Sequence, residues 1–368
     1  YFAERRLGAN DGARALRQPG STLKPFVYAA AMERFGWTSA TLVSDLGLEL
    51  STPEGTYVPR NYDGREHGPV RLRVALANSL NLPALRAAAQ VGPSNVMSML
   101  ERFGFDSLDR DPDHYGAAIA LGDGEVRLTE LAAAYAALAR DGEWRPLRFV
   151  RAARDANGRS HTFSREPAKR VLSAGIARQL TSILADERAR RPSFGADSVL
   201  SFAFPAAAKT GTSKGFRDNW AVGYTRELTV AVWAGNFDGR PMVQSSGVSG
   251  AGPVFHAVLE RAMRGRRAAP LVESTGFVER EICPLSGALP ASACPHRVRE
   301  HFLPDAVPRG ECRFHERVLV DAATGERTSE RSARAEIRSF ERYFDAATRW
   351  AQEAGRPVAP TPVLRNGR

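Results

Sequence analysis

The chain has 368 residues, enough for one large domain or two ordinary ones, and 43% of them are hydrophobic, which excludes wholesale disorder. The net charge of +10 comes almost wholly from arginine, since only four lysines occur. No motif of a nucleic-acid-binding module accompanies this charge. We therefore interpret it as a generally basic surface and expect no nucleic-acid partner.

Helices dominate the first 140 residues. Residues 21–35 have apolar residues at helical spacing, with Pro25 in the first turn, where its missing N–H costs little. Residues 38–70 are rich in Gly, Pro, Thr and Asp and predict an extended excursion with short strands. Further helices are predicted over 71–90 with a break at Pro83, over 93–104 up to Gly104, and over 125–140 up to Asp141-Gly142.

The second half predicts an antiparallel sheet. Asn157-Gly158 is typical of a type I′ turn and predicts a hairpin over 146–163. Three β-rich runs follow, with a helix on either side of them in the chain: the strands are predicted over 206–212, 218–225 and 228–235, and the helices over 174–186 and 253–264. The pattern indicates the α+β class, with helices packed on an antiparallel sheet.

The pattern changes after residue 270. Residues 271–325 are rich in Pro and Gly and hold all three cysteines, residues 330–354 are charged and predict a helix, and residues 355–368 predict an extended proline-rich linker. No apolar run reaches the 18 residues of a membrane span. Because the chain opens at Tyr1 in mid-pattern, we expect a piece of a longer protein.

The first chemical motif is Ser21-Thr22-Leu23-Lys24. Positions i and i+3 share a face of a helix, so the Ser21 hydroxyl and the Lys24 amine can touch. A serine is a poor nucleophile until a base takes its proton, and a lysine amine with a lowered pKa can be that base. The alternative is an N-cap serine beside a surface lysine.

The second motif is Ser79-Leu80-Asn81, beside the predicted helix break. Ser79 is suited to relay a proton between Lys24 and a leaving amine. Asn81 is suited to hydrogen-bond Lys24 or a substrate amide. The alternative is polar capping near the break, which is the commoner use of such residues when the motif stands alone.

The third motif is Lys209-Thr210-Gly211-Thr212, followed by Ser213. We place it on a strand at the edge of the site, where Gly211 lets a substrate backbone approach closely. Lys209 adds positive charge that binds a carboxylate and depresses the pKa of Lys24. The backbone N–H groups of Thr212 and Ser21 would form an oxyanion hole. The alternative is an ordinary edge strand.

SxxK, SxN and KTG in this order resemble the serine–lysine acyltransferase signature of penicillin-binding proteins and class A β-lactamases. The longer segments PGSTLKPFVYAAAME, LGDGEVRLTELAAAYAALARDGEW and AAKTGTSKGFRDNWAVGYT resemble class A penicillin-binding proteins. Together with the segment around the second motif, they cover most of residues 17–265. The resemblance implies a penicillin-binding protein/β-lactamase-like transpeptidase fold and no metal or organic cofactor for the reaction.

The resemblance also implies a role for each motif residue. Ser21 would be the acylated nucleophile, Lys24 its base, Ser79 the proton relay and Asn81 a contact to substrate and lysine. The strand motif would bind the donor peptide and shape the oxyanion hole, through Lys209, Thr210, Gly211 and Thr212, with Ser213 beside them. The family reaction attacks the D-Ala-D-Ala bond of a peptidoglycan stem peptide on lipid II-derived strands and passes the acyl group to an acceptor amine. β-Lactams block it.

The tail CPLSGALPASACPHRVREHFLPDAVPRGECRFH resembles the cysteine-bearing extension of the penicillin-binding protein 1C branch. We therefore predict a transpeptidase domain over 1–268 and a small irregular C-terminal module with a linker over 269–368. In that branch a membrane anchor and a glycosyltransferase domain precede the transpeptidase. This implies work at the extracytoplasmic, periplasmic face of the cytoplasmic membrane.

Cys283, Cys294 and Cys312 leave two interpretations open. One is a tetrahedral zinc site that takes the three sulfurs and His315, or His296. The other is one structural disulfide, Cys294–Cys312, with a spare thiol. We favour the disulfide, because the spacing lacks a CxxC pair and the family works outside the cytoplasm.

Two other functions remain open. A hydrolase on the same scaffold, a D,D-carboxypeptidase or a β-lactamase, would turn a β-lactam over without a lasting adduct. The Ser-Leu-Asn motif in place of Ser-Asp-Asn, and the lack of a clear match to the deacylating glutamate segment, count against a β-lactamase. A non-catalytic β-lactam sensor or scaffold would carry the motifs and yet cross-link nothing.

Overall fold

The computed structural model describes residues 11–52, 55–272, 275–328, 334–344 and 346–361. The chain forms two units, and the first holds the described residues of Tyr1–Trp37, Leu76–Ser79 and Ala84–Thr275. The second draws on Thr38–Ala75, Leu80–Pro83 and Gly276–Arg368. The predicted excursion over 38–70 thus belongs with the C-terminal residues, and the division into 1–268 and 269–368 stays a proposal.

The α-helices of the described residues are α1 (Lys24–Phe35), α2 (Leu72–Ala77), α3 (Asn81–Val91), α4 (Pro93–Arg102), α5 (Pro112–Tyr115), α6 (Leu128–Ala139), α7 (Ala174–Leu184), α8 (Glu187–Phe194), α9 (Ala251–Met263) and α10 (Ala346–Glu353). Short 3-10 turns cover Gly20–Leu23, Gly116–Leu121, Lys214–Phe216 and Pro304–Ala306.

The strands are β1 (Leu42–Asp45), β2 (Leu50–Thr52), β3 (Gly55–Tyr57), β4 (Gly68–Arg71), β5 (Glu143–Trp144), β6 (Ala152–Arg154), β7 (Ser160–Thr162), β8 (Lys169–Arg170), β9 (Ala207–Thr212), β10 (Asp218–Tyr224), β11 (Thr229–Gly235), β12 (Val278–Ile282), β13 (Val298–Phe302), β14 (His315–Asp321) and β15 (Ala335–Glu341). The described residues contain both helices and antiparallel strands, as the α+β prediction requires.

The central sheet of the first unit has the strand order β11-β10-β9 and is antiparallel throughout. Its strands are rich in small residues, among them Ala208 and Ala221, which leave room for helix α9 to pack on one face. Phe255 and Leu259 of that helix are fully buried there. Strand β9 is an edge of this sheet in the described part of the chain, as the third motif predicts.

Helix α1 runs through the core of the first unit. Its residues Lys24 to Met32 are all buried, which is typical of a helix with apolar contacts on every side. The Phe26 ring packs edge-on against the rings of Phe103, Phe105 and Tyr135, with centroids 4.8, 5.2 and 5.5 Å away. The turn that precedes α1 is therefore anchored on a well-packed helix.

The backbone of the Gly20–Leu23 turn packs directly against the backbone of strand β9, and two glycines, Gly20 and Gly211, permit this close approach. A Cβ atom on Gly211 would lie 2.2 Å from the Pro19 carbonyl oxygen. Gly20 has a φ of +56°, and a Cβ atom there would lie 2.6 Å from the Thr212 carbonyl oxygen. Any side chain at either position would force the turn and the strand apart.

The second unit consists largely of two-stranded antiparallel pairs, β1 with β4, β2 with β3, β12 with β13 and β14 with β15. A buried carboxylate, Glu300 on β13, ties two of them together, because Arg73 donates to it at 2.8 and 2.6 Å and Arg71 at 3.4 Å. Burial would raise the pKa of Glu300, but the hydrogen bonds and charge of Arg73 hold it below its usual value.

The predicted helix break at Pro83 is wrong. The interruption covers residues 78–80, between α2 and α3, and Pro83 lies in the first turn of α3. A proline is tolerated there, because the first N–H groups of a helix have no partner within it. The break therefore falls on the second motif itself.

The predicted helix over 330–354 is wrong for residues 335–341. These form β15, which pairs with β14 along its whole length, and only Ala346–Glu353 is helical. Pairing with β14, whose Val318 and Val320 are buried, outweighs the helical tendency of the charged run. Residues 330–333 and 345 lie outside the described residues.

The hairpin predicted around Asn157-Gly158 is present as β6 and β7, but the type I′ turn is wrong. Only Gly158 of the pair has a positive φ, +80°, whereas a type I′ turn needs both. The Asp155 carboxylate accepts from the backbone N–H groups of Asn157 and Arg159, which builds a longer, Asp-anchored loop.

The described part of the predicted linker is held on the second unit. Glu341 N–H donates to the Pro357 carbonyl at 2.7 Å, and Val358 packs against the core that includes Tyr343 and Ala347. The linker residues 362–368 lie outside the described residues. In the part of the chain that the structure describes, none of the helices has the length and apolarity to span a bilayer.

Gly211→Ala is expected to lower the free energy of unfolding by about 1–3 kcal/mol, because its Cβ atom collides with the Pro19 carbonyl. Urea denaturation followed by circular dichroism measures this. The matched control is Gly310→Ala, at a glycine with open space around it, which is expected to change stability by less than about 0.5 kcal/mol. Equal losses at both positions would contradict the close approach.

Candidate functional site

Ser21 lies in the Gly20–Leu23 turn, directly before helix α1. Three hydrogen bonds fix the backbone around it. The Thr22 hydroxyl donates to the Pro19 carbonyl at 2.8 Å, the Tyr135 hydroxyl to the Thr22 carbonyl at 2.8 Å, and the Trp220 indole N–H to the Gln18 carbonyl at 2.7 Å. A half-buried serine is thus presented on a rigid turn.

Lys24 begins helix α1 and is completely buried. Its Nζ donates to the Ser79 carbonyl oxygen at 2.6 Å and lies 3.5 Å from the Ser79 hydroxyl. A lysine is rarely buried without polar partners, because its charge is costly to remove from water. The first and second motifs are therefore in direct contact.

Ser79 adopts a left-handed backbone conformation, with a φ of +58°. Such a conformation costs a residue other than glycine about 1–3 kcal/mol and persists where the surrounding structure imposes it. Here it turns both the carbonyl and the hydroxyl oxygen of Ser79 toward buried lysines. The interruption between α2 and α3 is therefore part of the site.

Lys209 on strand β9 is the second buried lysine, with 3% of its surface exposed. Its Nζ lies 2.8 Å from the Ser79 hydroxyl and 2.7 Å from the Thr210 carbonyl oxygen. Burial, and next the positive charge of Arg190, lower the pKa of Lys209 to about 7. Near neutral pH this amine can gain or lose a proton with little free energy change.

Arg190 is the residue that sequence analysis missed. It is 3% exposed, and its guanidinium donates to the carbonyls of Leu184 and Leu200 at 2.7 and 3.3 Å. Arg188 and Arg191 of the same run are exposed, as a generally basic surface predicts. No feature of the sequence separates the buried arginine from these two neighbours.

Thr212 and Ser213, at the end of the third motif, each form a hydrogen bond with a residue later in the chain. Gly247 N–H donates to the Thr212 hydroxyl at 2.9 Å. Ser213 is engaged with Asp218, whose carboxylate accepts from the Ser213 hydroxyl at 3.0 Å and whose N–H donates to it at 2.8 Å. The Ser213 hydroxyl thus closes the turn after β9, and its substrate contact stays a prediction.

Asn81 opens helix α3 in the second unit. Its side-chain amide donates to the Arg60 carbonyl at 2.8 Å, and its backbone N–H donates to the Asn61 side chain at 2.7 Å. Asn61 is in turn bound to both carboxylate oxygens of Asp45 at 2.8 Å. The contact of Asn81 with Lys24 or substrate stays a prediction.

The predicted disulfide Cys294–Cys312 is wrong, because Cys283, Cys294 and Cys312 are all unbridged. The three sulfur atoms lie instead around the imidazole of His315, and the four ligand atoms are within 4.8 Å of one another. His296, the other histidine considered, is exposed and is not one of the four.

Comparison with known families gives two matches. The Penicillin binding protein transpeptidase domain matches residues 8–260, and the Penicillin-binding protein 1A, C-terminal domain, matches residues 273–317. Penicillin-binding protein 1C of Escherichia coli K12 is 34% identical over 253 residues, 69% of this chain and 30% of that protein. Penicillin-binding protein 1A of Aquifex aeolicus is 33% identical over 61% of this chain and 30% of its own length. The chain thus spans about a third of such relatives.

Solved structures of penicillin-binding proteins resemble this chain in fold. Penicillin-Binding Protein 1A of Haemophilus influenzae superposes with a TM-score of 0.72 over 82% of this chain and 50% of that one; at 24% identity this is a likeness of fold. The PonA1 protein of Mycobacterium tuberculosis in complex with penicillin V has a TM-score of 0.62 and 26% identity over 71% of this chain and 73% of that one. The predicted transpeptidase fold is confirmed.

Lys209→Met is expected to change how stability depends on pH. An unfolded lysine keeps its proton up to pH about 10.4, whereas folded Lys209 loses it near pH 7. Between these values the unfolded wild type binds one more proton than the folded state. Its free energy of unfolding should therefore rise with pH by about 1.4 kcal/mol per unit relative to the variant.

Urea denaturation of both proteins from pH 6 to about pH 10 tests this slope, and a constant offset from lost hydrogen bonds does not affect it. Lys169→Met, on the exposed strand β8, is the matched control and should follow the wild-type curve in parallel. Parallel curves for wild type and Lys209→Met would contradict the lowered pKa of Lys209.

Proposed function

The chain belongs to the penicillin-binding protein transpeptidase family, and from that premise we propose that it is a serine-type D-Ala-D-Ala transpeptidase. Its donor substrate would be the D-Ala-D-Ala end of a peptidoglycan stem peptide, and its acceptor an amine on a neighbouring strand. The observation that carries this proposal is the convergence of two buried lysines, Lys24 and Lys209, on the strained Ser79.

In the first step the Ser21 oxygen bonds to the carbonyl carbon of the penultimate D-Ala, and its proton passes to the neutral amine of Lys24. The tetrahedral adduct then breaks its C–N bond, and the leaving D-Ala amine takes a proton delivered through Ser79. The acceptor amine attacks the resulting ester, the cross-linking amide forms, and the Ser21 oxygen regains a proton.

The contacts of Ser79 support the relay in this scheme. Its hydroxyl lies 2.8 Å from Lys209 Nζ, within proton-transfer reach, and 3.5 Å from Lys24 Nζ, a distance that would have to shorten for transfer. One hydroxyl group between the two amines is the arrangement that the proposed relay needs. Asn81 is proposed as a contact to the substrate amide and to Lys24.

Strand β9 would hold the donor peptide and the oxyanion. Lys209 in its ammonium form would pair with the substrate carboxylate, with Thr210 and Ser213 beside it. The oxyanion hole would use the N–H groups of Ser21 and Thr212. The backbone approach of Gly20 to Thr212 supports this pair, because it brings the two donor segments together.

The cellular location, the further domains and the ligands of this protein are proposed from its relatives. We place the chain at the extracytoplasmic face of the cytoplasmic membrane, on lipid II-derived glycan strands, within a longer protein that also holds a membrane anchor and a glycosyltransferase domain. β-Lactams would acylate Ser21, and penicillin V bound to PonA1 is consistent with such a ligand class. Residues 1–268 would form the transpeptidase domain, although Thr38–Ala75 packs with the later residues.

Intact mass after incubation with benzylpenicillin tests the nucleophile. Wild type should gain one lasting penicilloyl adduct, and Ser21→Ala should gain none, because Ser21 is the proposed nucleophile and its hydroxyl is removed. Ser98→Ala, at an exposed serine on α4, is the control and should be acylated like wild type.

Other outcomes of the benzylpenicillin experiment would favour the hydrolase or the sensor over the transpeptidase. Consumption of benzylpenicillin without a lasting adduct would replace the transpeptidase by a hydrolase. A stable adduct with no cross-linking of stem peptides to any acceptor amine would leave a sensor. Neither adduct nor consumption would contradict the proposed chemistry.

Arg190→Gln is expected to move the pH profile of acylation. If Lys209 binds the β-lactam carboxylate as an ammonium group, the second-order rate of acylation falls as pH rises above about 7. Loss of the Arg190 charge raises the pKa of Lys209, so the falling limb should move to higher pH. Arg191→Gln, at an exposed arginine of the same helix, should leave the profile unchanged.

A further inference from the structure

Four ligand-type side chains meet in the second unit, away from the motifs discussed above in the sequence. Cys283 directly follows strand β12, Cys294 lies in the loop before β13, and Cys312 lies three residues before His315, the first residue of β14. Cys283 and Cys312 are buried, and the other two are half-buried. The transpeptidase chemistry makes no use of any of them.

The distances within this cluster match a common central atom. The sulfur atoms of Cys283, Cys294 and Cys312 lie 3.5, 3.6 and 3.4 Å from Nδ1 of His315. Zinc–sulfur bonds of about 2.3 Å and zinc–nitrogen bonds of about 2.0–2.1 Å at a tetrahedral angle separate sulfur from nitrogen by about 3.5–3.6 Å. All three pairs therefore have the spacing of ligands on one tetrahedral ion.

Hydrogen bonding does not account for this arrangement. The Nδ1 atom of an imidazole has either one N–H or one lone pair, so it can satisfy one thiol and not three at equal distance. Disulfide bonding does not account for it either, since a disulfide brings two sulfurs to about 2.05 Å and the cysteines are unbridged.

We propose that Cys283, Cys294, Cys312 and His315 bind one zinc ion in a structural site. Three thiolates and one imidazole complete a tetrahedral set and leave no open position for water or substrate, which is typical of structural and not catalytic zinc. Soft sulfur ligands in this geometry select zinc over magnesium or calcium.

Backbone hydrogen bonds position the segments that carry the ligands. Cys283 N–H donates to the Ala288 carbonyl and Gly287 N–H to the Cys283 carbonyl, each at 2.9 Å, which closes a tight turn. Cys312 N–H donates to the Leu289 carbonyl at 2.7 Å, and this joins the two ligand-bearing segments. Phe314 N–H points at the Cys312 sulfur at 3.4 Å, a contact that stabilises a thiolate.

A bound zinc ion would stabilise this part of the second unit, where few apolar side chains are buried. One hydrophobic core nearby consists of only three buried residues, Ala40, Ile282 and Phe302, with Val298 and Val307 partly buried against it. Small modules with so little core are commonly stabilised by a metal. The ion would join the end of β12 to the start of β14.

The full 368-residue chain, purified under reducing conditions without chelators, should contain about one zinc ion per chain by inductively coupled plasma mass spectrometry. Three equivalents of an organic mercurial should cap the three cysteine sulfurs, release the zinc ion and lower the melting temperature. Replacement by Co²⁺ should give thiolate-to-cobalt absorption and the strong visible bands of a tetrahedral site.

His315→Ala should reduce bound zinc to about a tenth or less, whereas His315→Cys should retain it by restoring four ligands. His296→Ala is the matched control and should bind zinc like wild type. The His315→Cys variant distinguishes loss of a ligand from general misfolding. Acylation by benzylpenicillin is recorded on the same samples, so failure of the zinc site and failure of the proposed function are separate results.

Four results would overturn the proposal, and the first three concern the thiols, their oxidation and the zinc content. These are a chain without metal whose three thiols all react at once, a mass two hydrogens lower from a Cys–Cys bond, and equal zinc content in wild type and His315→Ala. Stoichiometric iron in place of zinc would also overturn it.

Discussion

Backbone contact between the Gly20–Leu23 turn and strand β9 is the constraint on which the rest of the site depends. Because Gly20 and Gly211 lack side chains, the chain before Ser21 can lie against the strand that carries Lys209. A third glycine, Gly122, takes part, since a Cβ atom there would lie 2.2 Å from the Gly20 nitrogen. The position of Ser21 is therefore set by main-chain packing together with the side-chain hydrogen bonds of Thr22, Tyr135 and Trp220.

Two lysine amines lie buried beside each other in this site, where even one would be costly to remove from water. Lys24 and Lys209 are both buried, and both reach Ser79, whose left-handed backbone conformation faces them. Arg190 adds a third buried positive group whose charge acts on Lys209. Such a cluster is costly to desolvate, and groups with pKa values perturbed in this way are typical of functional sites.

The sequence predicted which motif residues come together better than it predicted the residues that surround them. Three short motifs predicted that Lys24, Ser79 and Lys209 lie together, and both lysines contact Ser79 in the structure, while the catalytic roles of these residues and of Ser21 stay predictions. Arg190 was missed because burial of one arginine within a run depends on tertiary packing. The cysteines were misjudged because we looked for a CxxC pair, while Cys312 and His315 form a CxxH pair that is equally tight.

The interleaving of the two units has a consequence for synthesis on the ribosome. Arg73 is made early, but its partner Glu300 is made more than 200 residues later, and both are buried in the finished second unit. The strand pairs β1–β4 and β2–β3 lie wholly within Thr38–Ala75 and can form at once, but the Glu300 carboxylate that Arg73 binds in the finished second unit is not yet made. A nascent chain must therefore hold the Arg73 guanidinium in water until residue 300 has been synthesised, and termination before that point leaves the second unit without this buried ion pair.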